Sequence, residues 1–392
     1  MSEGNAAELL GAARRAFPLL ALVAARGFLV GGAVRDLILG REPRDADVAI
    51  AGAAEEAARF AKACGGRVIA LGSAPFDVVR VAARGVVYDF AEIVGASIED
   101  DLARRDFTIG AIALPLDAAR EIVDPFDGAG DVERRLLRMV KESNFTDDPL
   151  RVVRGARLAA ELALSIDEAT LAAMRRHAAD VGSSAAERLG VEWLALLEAS
   201  DEVALRRSLE LLRELGLDQL LVSGAVSDAA ARVAAAVKGS DAVSRLAAIA
   251  LEGDEATLFE TSLRLGLGAT RIDAVRRACR VVRHLLDDEQ AAVDPVVLFD
   301  EGADAARRAI AIVRAKGRDD LAGRIEEVIV RDGDRIFTTR PLLDGHAIAA
   351  LLGIAPGPRV GTIRRALLVA QLRGEVGSEG EARAFVERAG SC

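Results

Sequence analysis

Phe28-Leu-Val-Gly-Gly-Ala-Val-Arg-Asp-Leu-Ile-Leu-Gly-Arg-Glu-Pro-Arg-Asp-Ala-Asp-Val-Ala-Ile50 is the stretch whose reading decides the fold. Phe28 to Val30 form a short apolar strand, Gly31 and Gly32 make a turn, and Ala33 to Leu39 have the spacing of the first turns of a helix. Backbone N–H groups at a helix start, left uncrowded by glycine, form a site for a phosphate. Arg35, one turn in, reaches the same anion. Gly40 and Pro43 then break the chain, and Asp45-Ala46-Asp47 leads into the apolar run Val48-Ala49-Ile50. On a strand, positions i and i+2 face the same side, so Asp45 and Asp47 aim both carboxylates at one point. Two hard oxygen ligands beside a triphosphate site suit Mg²⁺, and paired Mg²⁺ ions clamp an in-line phosphoryl displacement. Alone, Asp-x-Asp fits a solvated loop ahead of a strand better. The Gly-Gly-x-x-Arg-Asp upstream at this distance makes the pattern specific.

Outward from this stretch the chain changes character. Residues 1–27 read as an Ala-rich helix or two. Arg67-Val-Ile-Ala-Leu, Asp77-Val-Val-Arg-Val-Ala and Val86-Val-Tyr-Asp-Phe are β-like, the last two a hairpin around Ala83-Arg84-Gly85. Phe107 to Leu114 reads as a further apolar strand, followed by Pro115. From Val132 onward Ala, Leu, Arg and Glu dominate with helical spacing, interrupted at Gly182-Ser-Ser, Gly216, Gly224, Gly253, Asp294-Pro295 and Arg340-Pro341. The fold class predicted is α+β: a small mixed α/β head followed by an all-α neck, body and tail, not an alternating βαβ protein. The expected divisions are 1–140 for the head, 141–200 for the neck, 201–335 for the body and 336–392 for the tail.

This order of motifs resembles the class II tRNA nucleotidyltransferases (the CCA-adding enzymes) and bacterial poly(A) polymerases, a branch of the DNA polymerase beta superfamily. After the first stretch, Arg104-Arg105-Asp106-Phe107-Thr108-Ile109-Gly110-Ala111 is similar to the family's Arg-Arg-Asp-Phe-Thr-Ile-Asn-Ala block. Asp124-Pro125-Phe126-Asp127-Gly128 with Asp131 resembles the next block, and Asp147-Asp148-Pro149-Leu150-Arg151 its Glu-Asp-x-x-Arg nucleotide-selecting motif. Glu187-Arg188 with Glu192, and the tail segments Asp344-Gly345-His346 and Gly353 to Pro358, continue the likeness. It is dense over residues 28–200, sparse over 201–335, and returns over 336–390.

The resemblance implies template-independent addition of C and A to the tRNA 3′ end from CTP and ATP. Asp45 and Asp47 would be the catalytic metal ligands. Gly31, Gly32, Arg35 and Arg105 would hold the triphosphate, with Asp148 and Arg151 selecting the base. Arg154 and Arg157 would sit around the nucleotide. Asp148 and Arg151 are three apart at a helix start, where side chains are neighbours. A carboxylate accepts from the exocyclic amine of C or A while a guanidinium donates to the adjacent ring nitrogen, a pattern neither U nor G offers. The ordinary alternative is an Asp N-cap before a Pro at N1, with a surface arginine beyond. Asp106 is expected to partner an arginine rather than a metal. Two departures stand out: Gly110 replaces the family Asn, and the connection between Asp89 and Glu99 is short. That shortening resembles the members that add only the two C residues.

Composition bounds the rest. The 392 residues exceed one ordinary domain. The three cysteines, Cys64, Cys279 and Cys392, have no paired or metal-like spacing, which fits a reducing cytoplasm. No apolar run approaches the ~20 residues that span a bilayer, and the N-terminus carries no signal pattern. A net charge of −10 leaves RNA binding to local patches; Arg359, Arg364, Arg365 and Arg373 are candidates in the tail. His177, His284 and His346 form no His-Asp metal-hydrolase pattern, so no phosphohydrolase domain of that type is expected. Trp193, on an apolar helical face, is expected in the core. The competing functions are a bacterial poly(A) polymerase, an enzyme transferring nucleotides to a small molecule, and a catalytically inactive RNA-binding protein.

Overall fold

The structure, a computed structural model, describes residues 3–71, 78–198, 201–221, 227–239, 241–287 and 293–391. Asp77, Gly224 and Cys392 lie outside the described residues. The chain divides into two compact units, residues 1–185 with 210–217, and residues 186–209 with 218–392. The first unit therefore joins the expected head to the first helices of the expected neck.

The first unit is built on a six-stranded sheet. Its strands are β1 (Phe28–Val30), β2 (Asp45–Ala49), β3 (Arg67–Leu71), β4 (Val78–Ala83), β5 (Val86–Ala91) and β6 (Ala113–Pro115). Their spatial order is β3-β4-β5-β2-β1-β6. Only β2 and β5 pair in parallel; the other neighbours are antiparallel. The β4–β5 hairpin closes through Arg84 and Gly85, both at positive φ (51° and 79°), the two-residue geometry whose twist matches the strands.

Alternation along the strands separates two chemistries. Ala46 and Val48 of β2, Val81 of β4, and Tyr88 and Phe90 of β5 are fully buried on one face. The amphipathic helix Ala53–Cys64 covers that face, and its Phe60 packs on Tyr88 and Phe90 with ring centroids 4.9 and 5.2 Å apart. The intervening residues, Asp45, Asp47, Arg80 and Asp89, belong to the opposite face by the period of two.

The expected strand from Phe107 to Leu114 is not continuous. Phe107 makes a single antiparallel bridge to Met139, Thr108–Gly110 form a 3₁₀ turn, and the strand itself begins only at Ala113. The cause is a polar anchor: buried Thr108 donates its hydroxyl to buried Asp131 (2.6 Å), which also accepts from Arg134 and Arg138. Asp124 accepts from the N–H groups of Gly128 and Ala129 at the start of the helix Gly128–Glu133. A Cβ on Gly128 would stand 2.1 Å from the Thr108 carbonyl oxygen, so the helix approaches that turn only because the residue is glycine. Beyond Val132 the described residues are mainly helical, with a two-residue parallel pair, Leu136–Leu137 with Ser165–Ile166, and a single bridge from Met139 to Phe107.

Nearly all of the second unit is helix. Ser227, Asp241, Asp254, Asp294, Asp344 and Ser378 each cap a helix by accepting a backbone N–H. The interruptions at Gly253, Asp294-Pro295 and Arg340-Pro341 fall between helices as expected. Trp193 is buried in the core. Buried Arg245 donates to the carbonyls of Leu197 and Val237, orphaned where two helices end. The tail helices Gly345–Leu352, Pro358–Leu372 and Glu379–Gly390 close over Ile348, Ile363, Leu367, Ala382 and Val386. The expected arginine patch is largely engaged within the fold, because Arg365 pairs with Asp300, Arg373 with Asp294, and Arg359 donates to the Gly390 carbonyl. Among the described residues, no helix is long and apolar enough to cross a membrane.

Candidate active site

The strand β2 carries Asp45 and Asp47 on one face, with Asp45 exposed and Asp47 half-buried. Beside them β1 ends at Gly31, whose φ of +72° is a left-handed conformation favouring glycine. A Cβ there would lie 2.8 Å from Arg105 Nη1 and 3.7 Å from Asp47 Oδ2. The Gly31 N–H donates to the Ile112 carbonyl (3.3 Å), so Gly31 supplies conformation and clearance rather than a free donor. The unfilled N–H groups of the helix Gly32–Ile38 begin with Gly32. Arg35 lies back over Gly32, with Nη2 3.4 Å from where a Cβ would be, and is held by Asp36.

Arg105 is fixed from two sides. Nη1 donates to the Gly110 carbonyl and Nη2 to Asp101, each at 3.3 Å. Its Nε is buried with no hydrogen-bond partner, a donor left over at the site. Gly110 has room for a side chain: its Cβ would meet Asp106 Oδ1 at an ordinary 3.8 Å. Asp106 pairs with Arg154 (3.3 Å), as expected for a structural carboxylate.

Burial pushes the Asp47 carboxyl up to about 6, and the nearby charges of Asp89 and Asp45 add to the rise. Arg105 and Arg154 pull it back. A half-buried carboxyl reluctant to ionise without a cation, with the second carboxylate of Asp45 on the same strand face, fits a divalent metal. Among the described residues, no group of three or more His, Cys, Asp or Glu stands together in a metal-binding arrangement. A metal would thus meet two protein carboxylates, the ligation Mg²⁺ accepts when substrate phosphates and water complete the shell.

The base-selecting candidates sit at the start of the helix Leu150–Glu161. Pro149 occupies the N-cap position, and the Asp148 main-chain carbonyl accepts from the Arg151 N–H. Arg151 Nη1 donates to the Asn144 carbonyl (3.1 Å). Buried Asn144 in turn donates through Nδ2 to the carbonyls of Ala103 (3.1 Å) and Arg105 (2.6 Å). One residue thus ties the segment holding Arg105 to the segment holding Arg151. Arg154, one turn on, shares the electrostatic environment of Asp47, whereas Arg157 reaches forward to Glu161.

Asp89, Arg80, Asn144 and Asp101 went unremarked in the sequence as site residues. The signal for the first two was present. Counting back equally from the Arg84-Gly85 turn places Arg80 opposite Asp89. The signal for Asn144 was absent, because its partners lie about forty residues earlier in the chain.

A mixed sheet presenting paired carboxylates at the mouth of a glycine turn, with arginines converging from later segments, defines a nucleotidyltransferase. Residues 27–138 match the Poly A polymerase head domain family, and residues 163–225 match the family described as a probable RNA and SrmB-binding site of polymerase A. The chain is 33% identical to the A-adding tRNA nucleotidyltransferase of Deinococcus radiodurans, over 92% of this chain and 94% of that protein. It is 32% identical to the CC-adding tRNA nucleotidyltransferase of Thermus thermophilus, over 92% of each. The structure of the Bacillus stearothermophilus CCA-adding enzyme in complex with CTP superposes with a TM-score of 0.77 at 26% identity, covering 97% of both chains. The chain belongs to the family of tRNA nucleotidyltransferases and bacterial poly(A) polymerases.

Proposed function

We propose that this enzyme extends the 3′ end of tRNA with C from CTP, without a template, and adds the terminal A from ATP poorly. The observation that carries the transferase reading is Asp47 held beside Gly31 and under the influence of Arg105. Relatives named for adding A, CC and CCA to tRNA support the substrate class, as do structures of similar fold in complex with tRNA, ATP and CTP. A cytoplasmic setting fits the cysteine usage.

In this reading the RNA 3′-hydroxyl attacks the α-phosphorus of the nucleotide and pyrophosphate leaves. Asp45 and Asp47 would hold Mg²⁺, which when bound favours deprotonation of the attacking hydroxyl and steadies charge on the leaving oxygens. Gly32 offers backbone donors to the triphosphate while Arg35 and Arg105 offset its charge. Arg154 stays near the nucleotide through Asp106. Asp148 and Arg151 read the base edge, their segment tied through Asn144 to the one that holds Arg105.

The connection at residues 92–97 supports the C-adding reading. Glu92 accepts from the N–H groups of Gly52 and Ala53. The Val94 N–H donates to Asp101, and the Ala96 N–H donates to Asp100 (2.8 Å). Switching a pocket from C to A calls for an element with two arrangements, and this link is tied at each end. The Deinococcus relative favours a second reading, A addition alone.

The test uses purified protein with Mg²⁺ and tRNA transcripts ending at the discriminator base, after one C, or after two, with each nucleotide supplied singly. Fast C incorporation on the first two and slow A incorporation on the third are expected. Fast A on the third without C on the others selects the A-adding reading, and fast addition at all three means full CCA addition. Long A tracts on unrelated RNA mean a poly(A) polymerase. No incorporation at all overturns the enzyme.

A further inference from the structure

One row of side chains crosses three neighbouring strands at the site. Arg80 of β4 is the register partner of Asp89 on β5, and Asp89 is the partner of Asp47 on β2. Gly31 and Arg105 stand beyond Asp47. The row therefore reads cation, carboxylate, carboxylate, cation. Register partners on adjacent strands share a face at about 5 Å, so Asp89 is the natural third ligand for an ion held by Asp47. Its side chain is engaged otherwise. Arg80 Nε donates to Asp89 Oδ1 (2.8 Å) and Arg80 Nη2 to Asp89 Oδ2 (2.7 Å), a fork that occupies both oxygens. Asp89 is mostly buried, while Arg80 remains partly exposed, with 37% of its side chain accessible.

We propose that Arg80 is a positioning residue that withholds Asp89 from the metal, keeping the protein's share of ligation at Asp45 and Asp47. The inference rests on the assignment of those two aspartates as metal ligands. Its consequence concerns the order of loading. A third carboxylate would create a site able to take a divalent ion by itself, because affinity rises with the charge and number of oxygen ligands. With Asp89 clamped, the two remaining carboxylates bind the ion weakly until triphosphate oxygens complete the shell, so metal and nucleotide arrive together. The guanidinium also offsets one negative charge on a face that must admit a triphosphate.

Mn²⁺ binding to the nucleotide-free protein, measured by the loss of the free-ion electron paramagnetic resonance signal, tests this directly. Arg80→Met should bind Mn²⁺ about tenfold more tightly than the parent protein, the gain expected from one more charged ligand. Arg80→Lys, which lacks the fork, should give a smaller gain in the same direction. The double variant Arg80→Met with Asp89→Asn should return to the parent affinity. An unchanged affinity in both Arg80 variants, or a gain that persists without the Asp89 carboxylate, overturns the clamp. Asp47→Asn separates the two layers: Mn²⁺ binding undiminished in that variant would remove the metal assignment itself. Thermal unfolding of each variant in chelator verifies that folded protein is compared.

Discussion

Replacing Asp47 with Asn should make the metal-free protein more stable while removing its activity. In the folded chain burial lifts the Asp47 carboxyl from its usual 3.8 to about 6, with Asp89 and Asp45 contributing and Arg105 and Arg154 opposing. A raised pKa means that the folded state binds a proton the unfolded state has already released. The contribution to stability is complete below pH 4 and is lost as the pH rises through about 6. The shift of about two pH units, at about 1.4 kcal/mol each, makes the ionised side chain cost about 3 kcal/mol above that range. Asn, of similar shape and uncharged, escapes this cost. For a unit of this size 1 kcal/mol moves Tm by roughly 2–4 °C, so Asp47→Asn should melt roughly 6–12 °C higher at pH 7.5 in chelator. The assay is thermal unfolding of both proteins from pH 4 to 8, with and without Mg²⁺. Their difference should be near zero at the acid end, grow toward pH 6 and then level off. Added Mg²⁺ should narrow it by stabilising only the parent. A difference that is absent at pH 7.5, or that does not change with pH, refutes the reasoning.

Three further outcomes follow from the site. Asp45→Ala or Asp47→Ala should reduce turnover by several orders of magnitude with tRNA affinity nearly unchanged in a filter-binding assay. Removing one element of phosphoryl stabilisation typically costs ~3 kcal/mol or more. Asp148→Ala should relax discrimination of CTP and ATP against UTP and GTP by roughly tenfold or more, since a bidentate base contact is worth ~1–3 kcal/mol; single-nucleotide kinetics with selectivity intact and only stability lowered would reject the base-reading role. Gly31→Ala must place a Cβ against Arg105 Nη1 at a φ of +72°, a backbone strain of roughly 1–2 kcal/mol. It should raise KM for the nucleotide far more than KM for tRNA, and equal changes in both would show that the turn does not serve the triphosphate.

What was legible in the sequence followed short-range rules. Asp45 and Asp47 fall on one face of a strand because the period of two needs no partner to operate. The helix breaks at Gly253 and Asp294-Pro295 follow from capping chemistry within a few residues. What failed depended on partners distant in the chain. Phe107 to Leu114 is apolar enough for a strand, but Thr108 is drawn into a turn by Asp131, twenty-three residues later. The pairing of Arg365 with Asp300 and of Arg373 with Asp294, sixty-five and seventy-nine residues earlier, likewise gave no local sign, and both arginines remain partly exposed. Asp89 joined the site only when the parallel register of β2 and β5 set it opposite Asp47.

Asp101 gives the short link a significance for how enzymes of this shape can be altered. Its Oδ1 accepts the Val94 N–H of the link, and its Oδ2 accepts from Arg105 Nη2. The same carboxylate is thus a rivet shared by the connection and by the arginine beside Gly31. Grafting a long loop between residues 92 and 97 withdraws one of the two contacts that orient this carboxylate. Arg105 then loses part of its footing at the same moment the chain gains freedom. Under the proposed function, loop exchange here should not be modular: product length and triphosphate affinity should move together, and a successful chimera should need a substitute for the Val94–Asp101 contact as well as the transplanted loop.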